Sequence, residues 1–187
     1  MMEDGLGRLA VPVNENDHVR GPSDAPITLV EYGDFECPYC GMAYPVVKAL
    51  EQKYRDALRF AYRNFPLAQH PHALAAAETS EFAADFDRFW PMHDLLFENQ
   101  RALDPPHLLG YAQNLQLDPE ALVTALREGT YRPRIQEQVL SGQESGVNGT
   151  PSFFINDVMF PEPPTVETFS AAFDWILEHA RPARRSG

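Results

Sequence analysis

The residues of this chain best suited to chemistry are its two cysteines, which lie three positions apart in the segment Cys37-Pro38-Tyr39-Cys40. A structural disulfide normally joins distant segments, because its stabilisation grows with the length of the closed loop. A bridge between Cys37 and Cys40 closes almost no loop, so the spacing favours a working redox pair. The thiolate is the form that attacks a disulfide, and a helix N-terminus favours it. We therefore expect Cys37 to be the nucleophile and Cys40 the resolving thiol.

A metal site and a pair of inert thiols are the alternatives for these cysteines. Zinc would need two further ligands, and only His70 and His72 are spaced suggestively. His70-Pro71-His72 fits a loop entering a helix better than a ligand pair. We expect neither a metal nor a cofactor, because the two sulfurs can themselves carry the exchanged electron pair.

Glu31 interrupts an otherwise apolar segment, residues 27–32, six positions before the first cysteine. A buried carboxylate is costly unless it is paired or protonated, and desolvation raises its pKa. Such a group is suited to shuttle a proton for the resolving thiol. The alternative is an ion pair with a lysine such as Lys48 or Lys53.

Pro151 follows Thr150 directly before the apolar segment 153–155. A proline is tolerated at the start of a strand, and a cis bond there would expose the backbone groups of Thr150 to an extended partner segment. A simple turn proline is the alternative, but the cysteine motif favours the cis form. The residues expected to contact substrate are Gly149, Thr150, Pro38 and Tyr39.

Other titratable and aromatic residues have weaker signals. Asp34 and Glu36 flank the cysteine motif, and their charge is expected to raise the pKa of Cys37, partly against the helix dipole. His93 is expected to pack or cap within a helical region. Aromatic residues at helical spacing are expected mostly in the core, namely Phe82, Phe86, Phe89, Trp90 and Phe97.

The hydrophobic pattern predicts an α/β fold with a helical insertion. Apolar residues at 27–32 predict a central strand covered on both faces, and alternation at 58–63 predicts a second strand. Residues 38–54 between them have helical spacing, and Pro45 is expected to kink this helix. The remaining predicted elements are helices at about 71–85, 88–100, 105–115, 119–128 and 131–142, a hairpin of 152–155 with 158–160, and a helix from Thr165 that turns Phe169, Phe173, Trp175, Ile176 and Leu177 inward.

Length and composition fit one globular domain, or one domain with a large insertion. The chain has 187 residues, 44% of them hydrophobic, and a formal net charge of −12. This acidic balance argues against nucleic acid as a partner. No stretch approaches the roughly 18 apolar residues of a membrane span. Residues 1–19 do not resemble a secretory signal, so we expect a cytoplasmic protein, or an exported one if the translation start lies elsewhere.

Four segments resemble the bacterial DsbA family of thiol–disulfide oxidoreductases. Residues 31–40, EYGDFECPYC, are similar to the active-site segment, and 63–67, RNFPL, to the strand end that leads into the helical insertion of that family. Residues 89–97, FWPMHDLLF, resemble an insertion helix, and 147–155, VNGTPSFFI, resemble the cis-proline strand. The segments occur in the family's order, and the match spans about 20 to 180.

The resemblance implies a thioredoxin-like fold with an inserted all-helical domain. It also implies that Cys37 is the nucleophile, Cys40 the resolving thiol, Glu31 the buried acid and Pro151 a cis residue. The corresponding divisions are a polar, loosely ordered lead-in at 1–20, a thioredoxin-like domain in two parts at 21–66 and 145–180, the helical insertion at 67–144, and a basic tail at 181–187.

The chain departs from the DsbA pattern in two respects. Pro38-Tyr39 replaces the Pro-His of the strongly oxidising periplasmic members and matches the glutaredoxin pair, which argues against a strong oxidant. Members of the family also commonly carry an export signal, which residues 1–19 do not resemble.

Three functional hypotheses follow. The leading one is an enzyme that exchanges disulfides with protein substrates and is recycled by a redox partner protein or glutathione. The second is a glutathione-dependent transferase or isomerase on the same fold, against which Cys40 argues because such relatives generally lack the second cysteine. The third is a redox-sensing or metal-binding module that switches a partner.

Overall fold

The structure, a computed structural model, describes residues 7–179, and five consecutive helices separate its third strand from its fourth. The strands are β1 His18–Arg20, β2 Ile27–Gly33, β3 Leu58–Asn64, β4 Ser152–Ile155 and β5 Val158–Phe160. The helices are α1 Pro38–Tyr54, α2 Ala73–Ala84, α3 Phe89–Glu98, α4 Pro105–Asn114, α5 Pro119–Glu128, α6 Arg132–Glu144 and α7 Val166–His179, with a 3₁₀ turn at Arg55–Ala57.

The five strands form one mixed sheet in the order β1-β3-β2-β4-β5. Strands β2 and β3 are parallel and joined by α1, whereas the other neighbours pair antiparallel. All seven residues of β2 are buried, as expected for a central strand covered on both faces. The predicted fold class, a thioredoxin-like sheet with an all-helical insertion formed by α2 to α6, is confirmed.

Alternation along β2 separates two clusters of buried side chains. Ile27 and Leu29 face a cluster that contains the inner side of α1, the inner side of α7 and the apolar residues of the insertion. Val30 and Tyr32 face the opposite cluster, which includes Leu9. Because side chains alternate along a strand, Glu31 lies on the α1 face of the sheet, beneath the cysteines.

Residues 8–20 make specific contacts with the sheet, which the sequence did not predict. The 18–20 segment forms β1 and pairs with β3, and the backbone N–H of Leu9 donates to the carbonyl of Asp157 at 3.0 Å. Leu9 is buried against the second cluster. The prediction of a loosely ordered lead-in is therefore wrong for these residues, since their partners are distant in sequence. The predicted basic tail, 181–187, lies outside the described residues.

Two aromatic residues predicted to be in the core are exposed. Trp175 is 61% exposed, because α7 buries only the stripe of Phe169, Ser170 and Phe173, and its ring stacks on His179 outside that stripe. Phe86 is 48% exposed because α2 ends at Ala84, so helical spacing does not continue to it. Within residues 7–179 no helix is long and apolar enough to cross a membrane.

His93 is fully buried in α3, where its ring packs edge-on against Tyr62 and Phe97. Its Nδ1 atom hydrogen-bonds to Asp94 at 2.9 Å, whereas Nε2 has no partner. Burial lowers the pKa of His93 to about 4, although Asp94 opposes this shift. The imidazole is therefore held neutral in the folded protein, which agrees with the predicted packing role.

We expect His93 to make the fold sensitive to acid. Its pKa is lower in the folded state, about 4, than its ordinary 6.5, so the unfolded chain binds the proton more tightly. Stability is lost as pH falls from about 6.5 to about 4, by up to roughly 3 kcal/mol. Urea unfolding of wild type and His93→Gln across this range will show a smaller loss in the variant. The exposed His179→Gln serves as control, and equal slopes for all three proteins contradict the assignment.

Candidate active site

The cysteine motif lies where β2 ends and α1 begins. Cys37 is the N-cap residue of α1, with φ −70° and ψ 121°, and Pro38 occupies the first helical position. A proline is favoured there because its missing N–H would have no intrahelical partner. The carbonyl of Cys37 accepts the first helical bond from the N–H of Gly41 at 3.1 Å. The sequence therefore places the first sulfur at the positive end of the helix.

The Cys37 thiol has a strongly lowered pKa of about 5. The largest cause is a hydrogen bond from the Cys40 side chain, with smaller contributions from Thr150 and from the backbone N–H groups of Tyr39 and Cys40, whereas burial opposes the shift. Cys37 exposes only 3% of its surface, and its sulfur lies 3.4 Å from the carbonyl oxygen of Thr150. At neutral pH this sulfur is a thiolate, the nucleophilic form.

The Cys40 thiol has the opposite shift. It is fully buried, and burial raises its pKa well above the ordinary thiol value, reinforced by the hydrogen bond to Cys37 and the charges of Glu31 and Cys37. The N–H of Asp34 approaches its sulfur at 3.5 Å. Two thiols with separated pKa values can divide the roles of nucleophile and proton donor.

Glu31 is 2% exposed, and burial is the main reason that its pKa is raised to about 8, with the charge of Cys37 adding to the shift. Its Oε1 atom has no hydrogen-bond partner. Lys48 instead binds Asp94 at 3.0 Å, and Lys53 donates to Ser170 at 2.9 Å. The alternative of an ion pair between Glu31 and one of these lysines is therefore wrong, since both ammonium groups pair closer to the surface.

The carboxylates of Asp34 and Glu36 form hydrogen bonds with residues that enter the helical insertion. The side chain of Asp34 accepts hydrogen bonds from the N–H of Leu67 at 2.9 Å and from His70 Nδ1 at 2.7 Å. Glu36 binds the backbone N–H of His72 at 2.6 Å and its Nδ1 at 2.9 Å. The two histidines considered as zinc ligands thus connect the chain entering the insertion to the cysteine motif.

The charges near the cysteine motif affect the pKa values of both His70 and Cys37. Burial works to lower the pKa of His70, but its hydrogen bond to Asp34 and the charges of Asp34 and Cys37 raise it overall. The pKa of Cys37 is lowered in sum, so the opposition expected from the flanking carboxylates does not prevail. The described residues contain no group of three or more His, Cys, Asp or Glu side chains arranged to hold a metal.

A mainly apolar groove of about 590 Å³ lies beside the sulfurs. The Thr150–Pro151 peptide bond at its edge is cis. Among the residues predicted to contact substrate, Tyr39 and Thr150 line the groove, whereas Pro38 and Gly149 do not. The residues that line it are Tyr39, Met42, Ala43, Val46, Thr150, Pro151, Pro163, Pro164, Thr165, Val166 and Glu167.

Gln100 is a site residue that sequence reasoning missed. It follows α3 in the insertion, and its side-chain amide donates to the carbonyls of Phe35 at 2.8 Å and Cys37 at 2.9 Å. A glutamine in a polar turn, sixty or more positions from the cysteines, gives no signal in one sequence.

The comparisons agree with this geometry. The model of the thioredoxin family designated Thioredoxin_4 matches residues 13–175, so the chain belongs to the thioredoxin family. Oxidised BdbD from Bacillus subtilis has a TM-score of 0.81 and 25% identity, over 92% of this chain and 97% of BdbD. A thioredoxin-like oxidoreductase from Silicibacter pomeroyi DSS-3 has a TM-score of 0.78 and 25% identity, over 88% and 94% of the two chains. The resemblance to the DsbA family is confirmed.

Curated relatives with higher identity are much longer proteins. The chain is 45% identical, over 91% of its length, to part of Na(+)/H(+) antiporter NhaA 1 of Salinispora arenicola (strain CNS-205), of which it covers 26%. It is 43% identical, over 79% of its length, to part of Na(+)/H(+) antiporter NhaA of Herminiimonas arsenicoxydans, of which it covers 24%. The chain thus spans about a quarter of the length of these relatives.

The hydrogen bond from Cys40 predicts how two substitutions will differ. Cys40→Ser keeps a side-chain donor near the Cys37 sulfur, whereas Cys40→Ala removes it. We expect the pKa of Cys37 to rise from about 5 in both variants, and to rise further in Cys40→Ala. The pH dependence of alkylation by iodoacetamide measures this value. Indistinguishable midpoints for serine and alanine would show that the donor is unimportant.

Proposed function

We propose that the chain is a thiol–disulfide oxidoreductase that exchanges disulfides with protein substrates through a mixed disulfide at Cys37. The observation that carries this proposal is the opposite displacement of two neighbouring thiols, one with its pKa lowered to about 5 and one with its pKa raised by burial. An inert pair has no reason to be separated in this way, and perturbed pairs of this kind are typical of functional sites.

The first step is attack by the Cys37 thiolate on one sulfur of the substrate disulfide. The substrate S–S bond breaks as the bond to Cys37 forms, and the leaving substrate sulfur departs as a thiolate that takes a proton from water. The hydrogen bond from Cys40 stabilises the attacking anion while leaving it nucleophilic at neutral pH.

The second step resolves the mixed disulfide. Cys40 must lose its proton before it can attack the Cys37 sulfur, and Glu31, with a pKa of about 8, is suited to accept it near neutrality. The Cys37–Cys40 bond forms, the bond to the substrate breaks, and the second substrate thiolate is protonated. The substrate gains two electrons and two protons, and the chain becomes the disulfide.

The reverse sequence oxidises a substrate dithiol, so the direction depends on the reduction potential of the couple relative to its surroundings. In a reducing cytosol the pair is held as a dithiol and reduces substrates, whereas in an oxidising compartment it oxidises them. Either direction needs a redox partner protein or glutathione to restore the starting state. We propose that no bound cofactor takes part, because the two sulfurs store the electron pair.

The character of the groove beside the cysteines favours protein substrates over small-molecule substrates. Its mainly apolar lining suits side chains of a polypeptide, and Tyr39 and Met42 present exposed surface at its edge. An extended substrate segment can pair with the backbone of Thr150, which places its sulfur next to Cys37.

The names of the longer relatives describe whole proteins, of which this chain matches about a quarter. The matched segment carries the dithiol site in this chain, so our proposal concerns thiol exchange and not ion transport.

Substitution of either cysteine tests the order of the two steps. Cys37→Ser will abolish reduction of insulin disulfides, because the nucleophile is lost. Cys40→Ala will retain the first attack and accumulate a mixed disulfide with substrate, detectable by mass spectrometry and released by dithiothreitol. Turnover by Cys37→Ser, or an adduct at Cys40 in that variant, would overturn the proposed roles. Val123→Ser, at an exposed position of α5 that does not line the groove, provides a folded control with both sulfurs.

Substitution of Glu31 tests the proton transfer. In wild type the rate of resolution will rise with pH through about 8, as Glu31 becomes able to accept the proton. Glu31→Gln will lose this inflection and resolve the mixed disulfide roughly 100-fold more slowly. Stopped-flow measurement of the second step gives both quantities, and an unchanged pH profile would exclude Glu31 as the proton acceptor.

A stability measurement shows whether Glu31→Gln is simply misfolded. The pKa of Glu31 is higher in the folded state, about 8, than its ordinary 4.5, so stability is lost as pH rises through this interval. Glutamine cannot ionise, so the variant will become progressively more stable than wild type between these values. A slow variant that is also more stable at neutral pH has lost chemistry, not structure.

A further inference from the structure

Gln100 connects the helical insertion to the active-site turn, which we define as residues 34–37 between β2 and α1. It lies in a short turn after α3, held by backbone bonds from Asn99 to Leu96 at 3.3 Å and from Ala102 to Asn99 at 2.8 Å. The turn is continuous with α3, which packs Phe97 against Phe35 of the active-site turn at a ring-centroid distance of 4.9 Å. The backbone of Gln100 is therefore fixed before its side chain reaches the cysteines.

The amide of Gln100 uses its full donor capacity on the active-site turn. Its Nε2 atom donates to the carbonyl of Phe35 at 2.8 Å and to the carbonyl of Cys37 at 2.9 Å. A side-chain amide has two N–H groups, and both are satisfied by carbonyls two residues apart. One planar group that bridges two carbonyls restricts the dihedral angles of the residues between them.

Gly41 provides a second, independent observation. A Cβ atom at this position would lie 1.9 Å from Gln100 Oε1 and 2.6 Å from Gln100 Cδ, so no side chain can occupy it while the amide is in place. The N–H of Gly41 also donates to the Cys37 carbonyl at 3.1 Å. The first turn of α1 thus leaves space for the amide, and the Cys37 carbonyl accepts bonds from both.

We propose that Gln100 is a positioning residue that fixes the Phe35 and Cys37 carbonyls and thereby directs the Cys37 sulfur toward Thr150 and Cys40. The inference rests on the proposed function only in taking Cys37 as the reacting group. The Cys37 sulfur lies 3.4 Å from the Thr150 carbonyl, and a rotation of the N-cap residue would move it away. The hydrogen bonds of Gln100 go to backbone carbonyls and Gln100 does not line the groove, so it acts through the backbone.

The first test removes the donors and keeps the length of the side chain. Gln100→Met will move the alkylation midpoint of Cys37 upward by roughly one pH unit, since a hydrogen bond of ordinary strength corresponds to about that shift. In insulin reduction kcat/KM will fall several-fold through the attack step, with KM nearly unchanged because the groove is intact. The matched control is Asn99→Ala, whose side chain donates to the Leu95 carbonyl at 2.8 Å on the same turn.

The second test uses the close approach to Gly41. Gly41→Ala alone will displace the side-chain amide of Gln100 and raise the pH midpoint of Cys37 alkylation. Gln100→Ala will raise the same midpoint. In the Gln100→Ala background the added methyl group finds space, so Gly41→Ala will cause no further shift and will raise the thermal midpoint, because alanine is the better helix former. This non-additivity is specific to contact between the two residues.

The inference is overturned if the alkylation midpoint of Cys37 in Gln100→Met equals that of wild type. It is also overturned if the shifts of Gly41→Ala and Gln100→Ala add up in the double variant. The alkylation measurement needs no substrate, so it separates the two proposals. If the midpoints move as expected while wild type fails to reduce insulin, the proposed function fails and the positioning role stands. If wild type is active and the midpoints do not move, the positioning role alone fails.

Discussion

The hydrogen bond from the buried Cys40 thiol to the Cys37 sulfur is the interaction on which the chemistry of this protein depends. It is the largest cause of the lowered pKa of Cys37, and it contributes to the raised pKa of Cys40. The contact therefore favours the anion at Cys37, and at Cys40 it adds to burial, the main cause, in keeping the thiol protonated. Burial of Glu31 on the same face of the sheet adds a group that can exchange a proton between these states. Exclusion of water raises the pKa values of Cys40 and Glu31, whereas it opposes the lowered pKa of Cys37.

The helical insertion takes part in building that environment. His70 and His72, on the segment that enters the insertion, bind the carboxylates of Asp34 and Glu36. Gln100, beyond α3, donates hydrogen bonds to two backbone carbonyls within the same turn. The sheet and α1 supply the reacting groups, and the insertion supplies much of what restrains them. This division explains why a long insertion can be placed between two strands without separating the parts of the site.

Particular residues show how far sequence reasoning reaches. Helix bounds such as Pro119–Glu128 were predictable because Asp118 caps the helix, Pro119 begins it and Gly129 ends it. The strand at β1 was not, because its residues are stabilised by pairing with β3 and not by their own pattern. Trp175 was assigned to the core from helical spacing, but spacing cannot tell how wide a stripe a neighbouring element covers. Phe86 is exposed for a different reason, since α2 ends at Ala84 and helical spacing does not continue to it.

By itself the sequence indicated the two cysteines as the candidate reacting groups, the order of the strands and helices except for β1, and the start of α1 at the first cysteine. These follow from residue type and short-range spacing, which local backbone geometry converts directly into structure. Only the tertiary structure decided that Lys48 and Lys53 leave Glu31 unpaired, that the two histidines bind carboxylates, and that Gln100 reaches the active-site turn. Such contacts join residues tens of positions apart, and which donor meets which acceptor depends on how the packed elements exclude the other candidates.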